Sequence, residues 1–420
     1  MTKKIILIIS LLFNFLYANI YQYETCILTP VNSFELKQEI KNIAYNFNKT
    51  LGLSKFFDTS KIVDSKWVKD EFQKDSTHSE KTVLTQDKKE ISYSFFNRNS
   101  DTLILIGPGF TNSKEKMAPF THMFLDYDIA ILNFRGHGYS DSFRFSPLYH
   151  LTGIDSDIQL GASEENDVFA VMQELQLKKK YKKVIGLGIC FGAFIFVKAQ
   201  AIAQQQNIHL FDKLILDGCW LSLDASKEKI FKDPYLIISP QKGGAPNFVR
   251  NIFRNGKFKR TLEWCIEKLC NIQFAHISLQ EYLKQTTVPT MFFYGKDDLM
   301  ISRSEFNEIW DNLQSKEKIA IITNNPHVHN HLKSKELYKL CCELFIEQSY
   351  TDFINNISSP GDLKDYLSHE MRNRSTKNFT DVLKPVKVAQ KSRFPYWTLL
   401  LIPAMIYGIK KILFSSNNNR

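Results

Sequence analysis

Cysteine is scarce: seven residues in 420, at positions 26, 190, 219, 265, 270, 341 and 342. That is too few for a disulfide scaffold, and the odd count leaves at least one thiol unpaired in a monomer. No nucleic-acid motif accompanies the net charge of +10. The lysines are spread through helices and loops, so the basic balance reads as a solvated surface and no nucleic-acid partner is expected. Metal-ligand spacing is also missing. His327, His329 and His331 alternate along a loop without a matching acid or cysteine cluster, so neither metal nor cofactor is expected. Residues 19 to about 80 carry no recognisable chemistry: Phe34 to Phe47 has helical spacing, and Asp70 to Glu80 reads as polar loop. What is present, 44% hydrophobic and 23% charged residues, is the composition of a folded globular chain.

Both ends are apolar. Lys3 and Lys4 precede an apolar run from Ile5 to Tyr17 and then Ala18, the pattern of a secretory signal or N-terminal anchor over 1–18. Phe394 to Ile409 is 16 residues without a charge, and Ile412 to Phe414 lengthen it. With Tyr396 and Trp397 at one interface and Lys410 and Lys411 snorkelling, 394–414 reads as a transmembrane helix, an interfacial or core helix being the other reading. A domain exported across a membrane and held by a single-pass C-terminal anchor is the expectation.

Between the ends, short apolar strands alternate with helical stretches. Lys81 to Thr85 and Glu90 to Phe96 form a hairpin about Gln86 to Lys89. Asp101 to Ile106, Tyr127 to Phe134, Val184 to Leu187, Lys213 to Leu216, Thr287 to Tyr294 and Lys318 to Thr323 read as further strands. Ser163 is expected to cap a helix over Glu164 to about Leu177, and Glu336 to Gln348 reads as the last helix. This alternation predicts an α/β fold: a mostly parallel sheet with helices on both faces and its site at the carboxyl ends of the strands. The interval 219–287 interrupts it with two helices and a basic run, and reads as a helical cap. The organisation expected is therefore 1–18 leader, 19–80 extension, 81–218 and 288–350 the two parts of the core, 219–287 cap, 351–393 linker and 394–414 membrane helix.

The most informative stretch is Gly188-Ile189-Cys190-Phe191-Gly192, set between a strand and a helix. A nucleophilic side chain at the tip of so sharp a turn needs small neighbours and stands at the positive end of the following helix. Gly109-Phe110, Arg135-Gly136-His137-Gly138-Tyr139-Ser140, Gly295-Lys296-Asp297-Asp298 and a late histidine accompany it in that order. Over roughly 81–350 the chain thereby resembles α/β-hydrolases of the lysophospholipase, monoacylglycerol-lipase and S33-peptidase type, with Cys where the family usually has Ser. Dienelactone hydrolases and polyhydroxyalkanoate synthases resemble it in using Cys there.

The resemblance implies that Cys190 is the nucleophile and Asp298 the acid, with Asp297 the alternative by register. It implies His327 as the base, with His329 and His331 still open, and the backbone N–H groups of Phe110 and Phe191 as the oxyanion hole. His137 is expected to be structural. The implied activity is hydrolysis of a small-molecule acyl ester or thioester, of lipidic type, through an acyl-enzyme. Two rivals are a silent binding or scaffold protein on the same fold and an acyltransferase using the same thiol.

Overall fold

The computed structural model describes residues 75–110, 112–137, 159–237, 244, 247–270, 272–349 and 352. The leader over 1–18, the helix over 34–47, Gly138 to Ser140 and the membrane helix over 394–414 lie outside the described residues. Among the described residues no helix is long and apolar enough to cross a membrane.

Among the described residues, eight strands form one sheet. They are β1 (His78–Leu84), β2 (Glu90–Phe96), β3 (Thr102–Gly107), β4 (Asp128–Leu132), β5 (Lys183–Ile189), β6 (Lys213–Asp217), β7 (Thr290–Gly295) and β8 (Lys318–Thr323). Their order is β1-β2-β4-β3-β5-β6-β7-β8. β2 runs antiparallel to both β1 and β4, and every other pairing is parallel. The first strand starts inside the stretch expected to be loop, because His78 to Leu84 pair in full register with Glu90 to Phe96.

Alternation of side chains along each strand builds two cores. Leu103, Leu105, Leu214, Leu216 and Phe292 face one side, against α2 (Glu165–Lys178) and α3 (Phe191–Gln205). Ile104, Ile106, Ile185, Leu187, Ile215 and Met291 face the other, against α1 (Ala118–Met123) and the C-terminal helix (Lys335–Glu347). Burial on both faces is why these strands read as continuous apolar runs.

Two local expectations change. The helix after β4 begins at Glu165 with Glu164, not Ser163, as its N-cap residue. The buried Glu164 carboxylate accepts the N–H groups of Gln159, Gly161 and Ser163, while the Ser163 hydroxyl is taken up by the Arg135 guanidinium and Gln159. The interval 219–287 holds more helix than expected: α4 (Leu223–Lys232), α5 (Asn247–Arg254), α6 (Gly256–Cys270) and a turn at Gln280–Leu283. An isolated bridge between Ser222 and Ser278, flanked by bonds from Leu223 N–H to Ile277 O at 2.9 Å and from Leu279 N–H to Leu221 O at 2.8 Å, pinches this insertion at its base. Its basic run is partly neutralised, Arg250 pairing with Asp233 and Lys259 with Glu228.

Candidate active site

The sheet order places β4 on one side of β3 and β5 on the other. The loops leaving β3 and β5 therefore diverge, and a crevice opens at the carboxyl ends of these two strands. Gly109, Phe110 and Cys190 all stand there.

Cys190 joins β5 to α3 with φ 52° and ψ −106°, a left-handed conformation that a non-glycine residue holds only under constraint. The constraint is visible. Cys190 N–H donates to Asp217 O at 2.8 Å, and Gly192 N–H donates to Pro108 O at 3.1 Å. A Cβ on Gly192 would lie 2.1 Å from Gly107 O, and one on Gly188 would lie 2.5 Å from the Ala193 backbone. The two glycines are thus required by close backbone packing on each side of the apex. A strained residue on a strand-turn-helix, at the top of a sheet of this order, has the geometry of the elbow of the α/β-hydrolases. The mostly parallel, helix-flanked sheet matches the architecture of that fold.

Cys190 is partly exposed, whereas Cys219, Cys341 and Cys342 are buried. Two N–H groups come from the segments that meet at Cys190: Phe191, the first residue of α3, and Phe110, after β3. Neither donates to a protein acceptor among the described residues. Gly109 brings the β3 loop in, since a Cβ there would meet Cys190 Cβ at 3.4 Å. The Phe110 and Phe191 rings pack edge to face at 5.8 Å. His137 stacks on Phe191 at 5.9 Å, with Nδ1 bonded to Arg135 O at 3.0 Å. Burial pushes its pKa down to about 4, so it is neutral. Arg135, fully buried, forks onto Asp167 and reaches Asp87 in the β1–β2 turn, fixing the segment that carries His137.

β7 ends at Gly295, and Asp298 follows in a turn closed by its own N–H to Gly295 O at 3.1 Å. Asp297 points outward and is exposed; the Asp298 side chain is 1% exposed. Asp298 Oδ1 accepts from Met300 N–H at 2.7 Å and Ile301 N–H at 2.8 Å. Its Oδ2 meets His327 Nδ1 at 2.7 Å. Helix α4 of the 219–287 insertion is tied to the same loop, because Lys229 Nζ donates to Met300 O at 2.5 Å and to the Glu305 carboxylate.

His327 is buried after β8. Burial alone would lower its pKa; the charge of Asp298, then that of Cys190, and hydrogen bonding to both carry it well above the ordinary imidazole value. Nε2 makes no hydrogen bond of standard geometry. The contact with Cys190 is thus looser than a fully formed bond, as catalytic contacts commonly are before substrate arrives. The structure brings Cys190, His327 and Asp298 together, with Phe110 and Phe191 packed on each other in the segments that flank Cys190. The other two histidines stand elsewhere: His329 is half-buried, and His331 packs on Phe120 at 4.8 Å with Nδ1 4.0 Å from Asp217 Oδ2. Asp217, Gly218 and Asn330, which contact this site from beneath, did not stand out in the sequence. The signal was an acid and a glycine closing the apolar strand at Leu216.

No family model and no curated protein matches the sequence. Among solved structures, the chain is similar to an esterase of Pyrococcus furiosus, with 17% identity, 64% of this chain and 90% of that one covered, and a TM-score of 0.49. It is similar to an esterase of Exiguobacterium antarcticum, with 15% identity over 64% of this chain and 100% of that one at TM-score 0.46. A membrane phospholipase A described as a bacterial virulence factor aligns over 74% of this chain and 98% of its own, with 15% identity and a TM-score of 0.48. All three scores are below 0.5, so the functional case stands on the chain's own geometry.

Proposed function

We propose that the protein hydrolyses acyl esters or thioesters through an S-acyl intermediate on Cys190, with His327 as proton carrier and Asp298 as its orienting charge. One observation supports this above the others: a buried imidazole bonded to a buried carboxylate on one nitrogen turns its other nitrogen toward a sulfur held at a strained elbow.

The steps follow from that arrangement. The Cys190 thiolate attacks the acyl carbon, and the carbonyl electron pair moves to oxygen, where the Phe110 and Phe191 N–H groups receive the charge. Collapse breaks the bond to the leaving group, which takes the proton from His327 Nε2. A water molecule then gives its proton to Nε2 as its oxygen attacks the thioester, and the second collapse releases the acid and the Cys190 thiolate. The thiolate and imidazolium are restored, and Asp298 steadies the ring throughout.

The test is turnover of short-chain p-nitrophenyl esters and acyl thioesters by the wild type and Cys190→Ala. Turnover that disappears with the sulfur supports the reading; Cys190→Ala retaining the wild-type rate overturns it and favours a binding role. Added alcohol or thiol acceptors distinguish transfer from hydrolysis by the product formed. We extend the proposal to lipidic acyl chains at a membrane. Support for that part comes from sequence, in the uncharged run 394–409, and a preference for short-chain over long-chain esters in the presence of vesicles would reject it.

A further inference from the structure

Asp217 closes β6 and is fully buried, yet the reaction above makes no use of its carboxylate. A buried charge of this kind needs a reason, because desolvation opposes it unless partners hold it. Its hydrogen bonds reach both halves of the candidate site. The backbone oxygen accepts the N–H of Cys190 at 2.8 Å and so fixes the elbow. The side-chain Oδ1 accepts Asn330 Nδ2 at 2.8 Å. Asn330 in turn gathers the loop that carries His327: its Oδ1 accepts Thr323 Oγ1 at 2.6 Å and Asn325 Nδ2 at 3.2 Å. These residues bracket His327 on both sides in sequence.

The next residue extends the argument. Gly218 has φ +65°, and a Cβ on it would meet His327 Cε1 at 3.0 Å and Val328 Cγ1 at 2.9 Å. The imidazole therefore rests against the Gly218 backbone, at the point where Gly218 N–H is anchored to Phe293 O of β7 at 3.2 Å. Asp217 and Gly218 together form a seat. One peptide group holds the sulfur's backbone, one carboxylate holds the base of the histidine loop, and one Cα supports the ring. The second carboxylate oxygen lies 4.0 Å from His331 Nδ1, and neither atom has a hydrogen-bond partner among the described residues.

We propose that Asp217 is a positioning residue: through its Oδ1–Asn330 bond and its backbone contact to Cys190, it sets the distance between the elbow sulfur and the His327 ring. The inference rests on the hydrolase reading. It concerns placement, so it acts on the chemical step and not on substrate capture.

The experiment compares wild type, Asp217→Ala, Asp217→Asn, Asn330→Ala and the double variant Asp217→Ala/Asn330→Ala. Turnover is normalised to intact Cys190 counted by iodoacetamide labelling. Displacing a reacting group by about an ångström costs about 10²-fold in rate. Asp217→Ala and Asn330→Ala are each expected to lose kcat by about that factor with KM within about twofold, and the double variant to lose no more than either. Asp217→Asn, which keeps an oxygen for Asn330 Nδ2, is expected to recover most of the loss, and Cys190 labelling at pH 7 should slow in the two alanine variants alone. Should Asp217→Ala fail to fold, Asn330→Ala removes the same bond from the loop side and decides the matter. Cys190-dependent turnover with kcat unchanged in Asn330→Ala, or losses that multiply in the double variant, overturns the positioning role and leaves the hydrolase reading intact. Turnover that survives Cys190→Ala overturns the hydrolase reading itself.

Discussion

Asp298→Asn keeps the shape of the acid and removes its charge. The Met300 and Ile301 N–H groups converge on Oδ1 at 2.7 and 2.8 Å. Only an oxygen can accept them, so the asparagine must keep its carbonyl there and turn Nδ2 to His327 Nδ1, where Oδ2 now stands at 2.7 Å. A donor then faces Nδ1. The neutral ring must carry its proton on Nε2, toward Cys190, and the imidazolium loses its counter-charge. Deacylation is left without a base for water, and a loss in kcat of about 10⁴ is expected, the size seen when an orienting acid is neutralised in comparable triads.

Stability provides the second reading, with a definite sign. Burial lowers the His327 pKa, but Asp298 and Cys190 together raise it well above 6.5, so the folded state favours the proton more than the unfolded chain does. That contribution is fully present below about 6.5 and is lost as pH rises through the folded value. Breaking one side of a buried ion pair costs about 3–5 kcal/mol. Urea unfolding of wild type and Asp298→Asn at pH 5.5, 7 and 9 should show a difference of that order at the acid end, narrowing toward the alkaline end. Activity within tenfold of wild type, or a stability difference that grows with pH, would refute the assignment of Asp298.

Iodoacetamide at pH 7 should label Cys190 well ahead of Cys219, Cys341 and Cys342, because these three are buried and Cys190 is not. Burial pushes the Cys341 thiol up to about 12, leaving about 10⁻⁵ of it as thiolate at that pH. Peptide mapping after partial labelling checks this, and equal rates at Cys190 and Cys341 would contradict it. Gly192→Ala should lower Tm and abolish Cys190-dependent turnover. Its methyl would lie 2.1 Å from Gly107 O, where backbone meets backbone, and overpacking of this kind costs about 1–3 kcal/mol or more. An alanine variant with wild-type turnover and a Tm within about 1 °C would show that the turn is looser than its geometry implies.

Much of the fold was legible because the signals are local. A strand buried on both faces reads as an apolar run whatever surrounds it, and β4, buried at every position, falls inside the expected Tyr127 to Phe134. The elbow was legible for the same reason, since the demand for glycine at 188 and 192 comes from atoms within one turn and one neighbouring strand. Ser163 misled because a serine before two acids has the pattern of a cap. The chain instead gave its hydroxyl to Arg135, a residue distant in sequence, and let Glu164 collect the turn's N–H groups.

The choice among His327, His329 and His331 was legible only in part, and the reason bears on where this site is made. Spacing from the preceding strand favours His327, but all three lie in one loop with similar neighbours. What separates them is the ends of two other strands. Past β7 comes Asp298, bonded to Nδ1 of His327; past β6 comes Gly218, against which that ring packs, and Asp217 at the end of β6 anchors Asn330 and faces His331. A charge at the end of an apolar strand reads in sequence as the point where the strand meets solvent. In this chain the point is buried, and the carboxylate there holds Asn330 of the histidine loop. The seat of the His327 ring is thus a property of the sheet's register, and shifting β6 by one residue against β5 would remove Asp217 from Cys190 and its seat from His327 together.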